Sequence, residues 1–425
     1  MIRAARWLWR ELVRPRGPVR HRFYRGGRRS KAGVALLLAV ASILLLTVLV
    51  SEVAHGAVVR AQLAAQHRDD AKAMALAYSG VYFYRLVLML SNSIGNNPMI
   101  GEFSQAFGVN ATELWQALPF IDTRFMRLVF VTDGRIDETD VESVKQQGLT
   151  QEQVEESREG SSLLQRSFLD FDGDFHAEVQ DEERRIPINS LTATTFPDLL
   201  MQPAAQELMG MFLDEPTRDW LYENNIVKEE LVANLADWID LDDTRLYQGG
   251  SEDSVYSRVE PPYRSKNAPF DTRDEIRLVD GWENDGVWER VGRHLTIYGD
   301  GKVNVNTATK PVIKGLLWAF AENPSETAID AAADQFIFLR GTPMAEGGMY
   351  INSPDAFIQL MTTMRGNGAT GIALRPEIAQ AIKTSSKVFR VTSAGEVGNA
   401  RVEIHAVFDF AQGGPTGRVL FMKVR

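Results

Sequence analysis

The densest group of side chains with potential chemistry is a run of carboxylates in the middle of the chain. Six acidic residues fall between positions 237 and 253: Asp237, Asp240, Asp242, Asp243, Glu252 and Asp253. Gly249 and Gly250 lie between the two acidic groups and permit tight backbone turns. Carboxylates this close repel one another unless solvent or a hard cation compensates their charge. The residues alone leave two interpretations open: a cation-binding loop, or a solvated acidic loop with an ion pair between Asp243 and Arg245.

Among cations, calcium suits this composition best. Calcium takes about 6–8 oxygen ligands from carboxylates and carbonyls and tolerates irregular loops, whereas magnesium requires stricter octahedral geometry. No histidine lies in the stretch to provide the imidazole that zinc prefers. Asp240-x-Asp242 begins like an EF-hand, but Thr244 and Arg245 occupy its fifth and sixth positions, where the sixth must be glycine. The EF-hand is therefore excluded.

A second, smaller acidic group alternates along the chain at Asp170, Asp172 and Asp174. Gly173 falls at the fourth position of an EF-hand count, which does not match that loop. We favour a hairpin turn here and keep a metal site as the alternative.

The sequence offers no constellation for catalysis. The six histidines are scattered at 21, 55, 67, 176, 294 and 405, there is no cysteine, and neither a G-x-S-x-G elbow nor a P-loop is present. We therefore predict that the protein is not an enzyme. The segment 303–320 resembles the start of a helix-hairpin-helix, but a role in helical packing is favoured over DNA binding.

Charge divides the chain sharply. Residues 1–31 contain ten arginines, one lysine and one glutamate, so they carry +10; because the whole chain carries −10, the remainder carries −20. A part this acidic is not expected to bind nucleic acid.

Directly after the basic segment, 32–50 reads AGVALLLAVASILLLTVLV without a charge. As a helix this run could cross a hydrocarbon core about 30 Å thick, and the preceding arginines would keep the N-terminus cytoplasmic.

The following elements suggest how the acidic loop is positioned. The helical spacing of apolar residues over 51–94 predicts that the helix continues. Its apolar face would include Ala73, Leu76, Tyr82 and Leu86. We predict a strand over 127–131 and a helix over 150–164. Apolar and polar residues alternate over 168–189, which predicts strands there. Helices are expected over 203–240 and 303–382, with Ser353 as an N-cap before Pro354, and three strands over 387–425. Strands on both sides of a helical block predict an α+β fold.

The junction Ser30-Lys31-Ala32-Gly33-Val34 resembles a prepilin, in which a dedicated peptidase cuts after the glycine. The fifth residue after this cut would be Leu38, where most pilins and pseudopilins have glutamate. One subfamily typically lacks that glutamate: the K-type minor pseudopilin of type II secretion.

The acidic stretch carries the same resemblance. Its strings DWIDLD at 237–242, GGSEDSVY at 249–256, PPYR at 261–264 and NAP at 267–269 are similar to the calcium loop of the K-type minor pseudopilin. VNVNTA at 303–308, Ile188-Asn189 and the C-terminal strands also match the family. The resemblance covers roughly 33–98 and 165–425, and leaves residues 99–165 and the long leader unexplained.

This resemblance implies a pseudopilin fold, in which a long N-terminal helix packs on an antiparallel sheet and a large helical domain is inserted. The implied organisation is a prepilin leader over 1–33, a transmembrane and filament-core helix over 34–57 and a pseudopilin domain over 58–190. The inserted domain over 191–385 contains the calcium loop 237–270, and closing strands occupy 386–425.

The resemblance also implies a function: a minor pseudopilin at the tip of the type II secretion pseudopilus, which initiates filament assembly and supports export of folded proteins. It implies a single-pass inner-membrane protein with a periplasmic C-terminal domain. The implied partners are the I- and J-type minor pseudopilins, the major pseudopilin, the prepilin peptidase and possible secreted substrates.

Carried over residue by residue, the resemblance implies one calcium site and one processing site. The expected calcium ligands are Asp240, Asp242, Glu252 and Asp253, with Asp243 and Asn267 second in rank, and cleavage is expected between Gly33 and Val34. Two other functions remain as alternatives: a tip subunit of a related type IV pilus or DNA-uptake machine, and a membrane-anchored calcium-dependent enzyme.

Overall fold

The computed structural model describes residues 29–93, 114–130, 172–342, 348–365, 371–412 and 414–425. The chain divides into two compact units, residues 1–67 and 68–425. The predictions for most of the leader, for a helix over 150–164 and for Asp170 fall outside the described residues.

In the first unit, the described residues 29–67 are helical throughout and belong to helix α1 (Arg29–Ser93). The large apolar side chains between Val34 and Val50 are 48–71% exposed. A helix of this length and composition can cross a membrane, and it is the one such helix among the described residues. These features fit a single-pass membrane anchor.

The second unit contains a five-stranded antiparallel sheet with the order β1-β2-β7-β8-β9. Its strands are β1 (Phe120–Asp122), β2 (Asp174–Asp181), β7 (Val388–Val397), β8 (Ala400–Asp409) and β9 (Arg418–Val424). Burial alternates along β2, as its sequence pattern predicts. The three strands expected near the C-terminus are present.

Residues 68–93 of α1 pack on this sheet through a stripe of buried side chains that includes Ala73, Ala77, Val81 and Tyr84. The predicted apolar face was partly wrong, because Tyr82 is 57% exposed and Leu86 is 48% exposed. This helix has two apolar stripes, and either of them could pack on the sheet. The stripe with the smaller residues faces the sheet because it permits closer backbone approach.

The helix and the sheet approach each other closely at Gly395 of β7. A Cβ atom there would lie 2.6 Å from the backbone nitrogen of Ala77 and would also overlap the carbonyl of Ala73. We expect Gly395→Ala to lower the free energy of unfolding by about 1–3 kcal/mol through overpacking. Gly341→Ala is the control, since a Cβ there meets nothing within 4 Å. Thermal unfolding of both variants checks this, and equal midpoints would contradict the packing argument.

The strand predicted over 127–131 was wrong. Residues 127–130 belong to helix α3 (Thr123–Phe130). The strand in this region is β1, which lies between α3 and the short helix α2 (Leu114–Ala117). The side chain of Asp122 accepts a hydrogen bond from the Phe125 backbone N–H at 2.7 Å, which caps the helix start. A short apolar run does not distinguish strand from helix by periodicity alone, and the cap decided the outcome.

A helical region with its own core lies between the neighbouring strands β2 and β7. Its helices are α4 (Phe196–Met201), α5 (Pro203–Met211), α6 (Glu215–Glu223), α7 (Lys228–Asp237), α8 (Asp253–Tyr256), α9 (Asp285–Arg290), α10 (Lys310–Phe320), α11 (Glu326–Gly341), α12 (Pro354–Thr363) and α13 (Ile378–Ala381). Ser353 caps α12 and Pro354 occupies its first turn, as predicted.

Short elements complete this region. Two parallel strand pairs, β3 (Ile186–Pro187) with β4 (Leu295–Thr296) and β5 (Val303–Asn304) with β6 (Ile382–Lys383), hold distant parts of the chain together. The predicted α+β class, with a long N-terminal helix, an antiparallel sheet and a helical domain, is confirmed.

A buried carboxylate, Glu182, lies just after the end of β2. Glu182 is fully buried and accepts hydrogen bonds from Arg185 at 3.0 Å, from Thr296 at 2.8 Å and from Arg390 of β7. Since Thr296 belongs to the helical region and Arg390 to the sheet, one carboxylate ties the two cores together.

Candidate metal centre

The acidic loop begins at the end of helix α7. Asp237 is the last residue of that helix and Asp240 follows one turn later, so the two carboxylates lie on the same side of the chain. The Asp237 Oδ1 atom accepts a hydrogen bond from the Leu246 backbone N–H at 3.0 Å. The helix end thus fixes the first half of the site.

A hairpin returns the chain to this helix end. Thr244 and Ser251 form an antiparallel bridge, and the Glu252 N–H donates to the Asp243 carbonyl at 3.2 Å. The turn requires positive φ angles at Gln248, Gly249 and Gly250. The two glycines therefore serve the turn that the sequence suggested, and this turn brings Glu252 back to Asp240.

The resulting centre is a trio of carboxylates from Asp237, Asp240 and Glu252. One oxygen of each lies within 4.8 Å of the others. Five of their six oxygens are buried without a hydrogen-bond partner: Asp237 Oδ2, both Asp240 oxygens and both Glu252 oxygens. Buried carboxylates are otherwise nearly always paired or bound to a metal, so this arrangement lacks its counter-charge.

The pKa values reflect the same imbalance. Burial, together with the charges of Asp240 and Asp237, raises the pKa of Glu252 to about 8. Burial likewise raises the pKa of Asp237 to about 7 and that of Asp240 to about 6, with Asp242 contributing. Without a cation, the site is driven towards protonation at neutral pH.

Neighbouring cations are engaged elsewhere. Arg245 pairs with Glu230 at 2.7 Å and not with Asp243, so the ion pair of the solvated-loop interpretation does not form. Lys266 binds Asp271 and Glu275 at 2.7 and 2.8 Å.

A second carboxylate group, on α10, α11 and the turn before α6, shows the contrast. There, Lys314 lies among Asp214, Glu326 and Asp330, with its Nζ atom 2.5 Å from Asp330. That group has an internal cation, whereas the trio has none among the described residues. The comparison favours an external cation at the trio.

The other predicted ligands take different positions. Asp242 is exposed and accepts the Thr244 N–H at 2.7 Å, while Asp253 accepts the Ser265 N–H at 3.2 Å and lies 3.6 Å from Arg264. The structure thus brings Asp240 and Glu252 together and leaves Asp242 and Asp253 with partners of their own.

The two second-rank residues contact each other. Asn267, whose φ is +48°, donates from Nδ2 to the Asp242 carbonyl at 2.9 Å and to Asp243 at 3.2 Å. Its Oδ1 atom is buried without a partner, which adds another free oxygen to the loop.

Asp237 is the member that the sequence ranking missed. The motif pointed to Asp240 and Asp242, yet the i, i+3 spacing of Asp237 and Asp240 at a helix end was a usable signal.

An aromatic cluster supports the loop from behind. Trp238 stacks on Phe270 with ring centroids 6.2 Å apart and makes an edge contact with Tyr256 at 5.4 Å. Tyr256 in turn stacks on Tyr263 at 5.2 Å. Rigid rings thus fix the backbone on both sides of the trio, and the oxygen-rich donor set fits calcium better than softer metals.

At the predicted processing site, Gly33 and Val34 lie within α1. No atom approaches within 4 Å of a Cβ at Gly33, and Val34 is 58% exposed.

These features define the class: a protein with one membrane-length helix among its described residues and an α+β unit that carries a helical region with a carboxylate-lined loop. Comparisons with known proteins agree. Residues 189–300, which include the loop, match the family described as type II secretion system (T2SS), protein K. The type II secretion system protein K of Klebsiella pneumoniae is 25% identical over 238 residues, which cover 56% of this chain and 66% of that protein.

The protein K of Pseudomonas aeruginosa is 33% identical over 110 residues, covering 25% of this chain and 32% of that protein. Among solved structures, the GspK-GspI-GspJ complex of enterotoxigenic Escherichia coli contains a chain with a TM-score of 0.42 and 17% identity, over 60% of this chain and 80% of that one. This chain thus spans 66% and 32% of the two curated relatives' lengths. Over residues 189–300 the chain is similar to the type II secretion system protein K family, which is the family that its motifs resemble.

Proposed function

We propose that the protein is a minor pseudopilin at the tip of the type II secretion pseudopilus. It initiates filament assembly there and supports export of folded proteins across the outer membrane. The observation that carries this proposal is the protein K family match over residues 189–300, which include the acidic loop. The protein has a structural rather than a catalytic role.

Two features support the position at the tip: the size of the helical region and the residue at position 38. The helical region between β2 and β7 spans more than 200 residues and would fit at a filament end, whereas it would clash along a shaft. Leu38 replaces the glutamate that would neutralise the amino terminus of a neighbouring subunit. A subunit with no neighbour above it does not need that charge.

The single apolar helix of α1 would hold the protein in the inner membrane before assembly. The arginine-rich segment before it favours a cytoplasmic N-terminus and a periplasmic α+β unit. The partners would be the I- and J-type minor pseudopilins and the major pseudopilin, in line with the complex that the structurally similar chain forms.

Calcium binding is the second part of the proposal. Asp237, Asp240 and Glu252 would hold the ion, and the orphaned Asn267 oxygen is a further candidate. Calcium would supply the positive charge that these buried oxygens lack, so its binding energy would become local stability of the loop.

Processing gives a direct prediction for the N-terminus. In a host with prepilin peptidase, we expect the mature protein to begin at Val34 and Gly33→Leu to retain the leader. N-terminal sequencing checks both. Gly56→Ala, within the same helix and without a close contact, is the control and should be processed normally. A mature protein that starts at Met1, or beyond residue 50, would rule out the prepilin assignment.

Function at the tip can be tested by complementation. In a strain that lacks its own protein K, this chain should restore secretion, and tagged protein should copurify with the I- and J-type subunits. Restored secretion without copurification would argue against the tip complex but not against the similarity to protein K.

A further inference from the structure

The C-terminal strand β9 lies at one end of the sheet, and its single neighbour among the described strands is β8. The Arg425 N–H donates to the Glu403 carbonyl at 2.8 Å, and the Glu403 N–H donates to the Arg425 carbonyl at 3.0 Å. In an antiparallel pair, such hydrogen-bonded positions alternate with positions whose backbone groups point away from the partner strand. The N–H and C=O groups of Met422 and Val424 therefore point out of the sheet, where another extended chain could pair with them.

One face of β9 is apolar and exposed. Val419, Met422 and Val424 are 40–42% exposed, although each of them pairs in register with a buried residue of β8. Those residues of β8 belong to the core beneath α1, whereas no side chain of β9 is part of that core. Among the described residues, α1 thus covers β8 and leaves the same face of β9 open. A strand added beside β9 would bury part of this apolar surface.

The opposite face of the strand is basic. Its three cations are Arg418, Lys423 and, directly after the strand, Arg425. None of them forms a salt bridge with a described residue, because the carboxylates of β8 on this face have other partners. Asp409 accepts the N–H group of Ala411 at 2.7 Å, and Glu403 lies 2.8 Å from the His405 side chain. The three cations are thus available to an acidic partner.

The distribution of charge favours one kind of occupant. A second copy paired antiparallel through β9 would bring the cations of both copies together on one face of the new ladder, which is destabilising. The chain after residue 31 carries a net −20, so a basic strand is a local exception in it. Cations on a sheet edge also serve to keep edges apart, but that role does not require a row of exposed apolar side chains on the other face.

We propose that β9 binds an extended, acidic segment of a partner polypeptide as a sixth strand of the sheet. The backbone of that segment would pair with Met422 and Val424, its apolar side chains would cover the apolar face, and its carboxylates would contact Arg418 and Lys423. Because successive side chains of a strand point to opposite faces, the partner segment must alternate apolar and acidic residues. The proposal does not depend on the calcium loop or on a position at the tip.

Fluorescence anisotropy of a labelled peptide tests this proposal, with the full chain in detergent and calcium present. The peptide alternates glutamate and valine over the length of β9. We expect saturable binding that weakens as sodium chloride is added, because salt screens exposed charges. The same peptide with N-methylated amides at alternate residues cannot extend the ladder, and it should bind about tenfold more weakly or not at all. A peptide with lysine in place of glutamate should behave likewise.

Two variants assign the binding to β9. Met422→Pro removes an outward N–H group without removing a hydrogen bond to β8, and it should weaken binding by about tenfold or more. Lys423→Glu reverses one cation of the basic face and should also weaken binding by about tenfold. Lys228→Glu, on α7 and outside the sheet, is the matched control, since it changes the net charge equally and should bind as the wild type does.

Several results would overturn the proposal: no binding of the acidic peptide, equal binding of its N-methylated form, or undiminished binding by both variants. If Met422→Pro does not fold, Lys423→Glu decides alone. Sedimentation of the protein without peptide tests the competing occupant. A wild-type dimer that Met422→Pro or Lys423→Glu abolishes would show that β9 pairs with a second copy, and the proposal would be wrong. Secretion and copurification are measured separately, so a failure of the tip function would leave this result unaffected.

Discussion

Chelation of calcium is expected to lower the unfolding temperature of the full chain in detergent, and added calcium should restore it. At a free calcium concentration of about 100 times the dissociation constant, binding stabilises the folded state by about 2.7 kcal/mol. For a unit as large as residues 68–425, that corresponds to roughly 4 °C. The physical reason is the trio of Asp237, Asp240 and Glu252, whose buried oxygens have no counter-charge among the residues that the structure describes.

The variant Glu252→Gln makes this test specific, because its effect should change sign with calcium. With calcium, the variant should be less stable than the wild type, since a charged ligand is lost. In chelator, it should be more stable, because one of three repelling buried carboxylates has been removed. If Glu252 instead formed a structural ion pair, Glu252→Gln would destabilise the folded protein both with calcium and in chelator.

Asp219→Asn, which changes an exposed carboxylate on α6, is the control and should respond to calcium as the wild type does. If neither wild-type protein nor control shifts with calcium, the acidic loop is not a calcium site. A calcium shift that Glu252→Gln retains in full would place the ion elsewhere in the chain.

The second large effect is expected at the junction between the two cores. Glu182→Gln should lower the free energy of unfolding by about 3–5 kcal/mol, because it leaves Arg185 and Arg390 without their shared buried anion. Glu223→Gln, on the exposed side of α6, should change stability by less than about 0.5 kcal/mol. Chemical denaturation of the three proteins measures the difference.

The pH dependence of this difference has a defined sign. Burial raises the pKa of Glu182, but the charges of Arg185 and Arg390 and the hydrogen bond from Thr296 outweigh it, so the net pKa is below the usual 4.5. The stabilisation by Glu182 is therefore fully present above about pH 4.5 and is lost as pH falls through the lowered value. The gap between wild type and Glu182→Gln should be constant near neutrality and shrink in acid. A gap that widens in acid would contradict the proposed pairing.

Several features of the protein followed from the sequence because they depend on local chemistry. The membrane-length helix required only an uncharged run from 32 to 50, and the C-terminal strands required only alternation and turns. The N-cap at Ser353 was readable because a cap is a contact within one turn. The acidic loop was recognised because its motif is contiguous, and its glycines fall at the positive φ angles of the hairpin.

Other features were decided by contacts between distant segments. The face of α1 that packs on the sheet was misjudged because side-chain size relative to β7, and not periodicity, selects between two apolar stripes. Residues 127–130 became helix because Asp122 caps them while β1 pairs with β2. Sequence patterns specify neither which strand pairs with β1 nor how closely α1 approaches the sheet.

For the carboxylate centre too, some features followed from the sequence and others only from the tertiary structure. The sequence by itself determined that the densest group of carboxylates lies at residues 237–253, next to two turn glycines. Only the tertiary structure decided which oxygens lack a partner: it joined Asp237 to Asp240 and Glu252 and gave Asp253 to Ser265 and Arg264. The reason is that hairpin closure and the pairing of nearby cations with other acids fix each carboxylate's neighbours, and these contacts exist only in the folded chain.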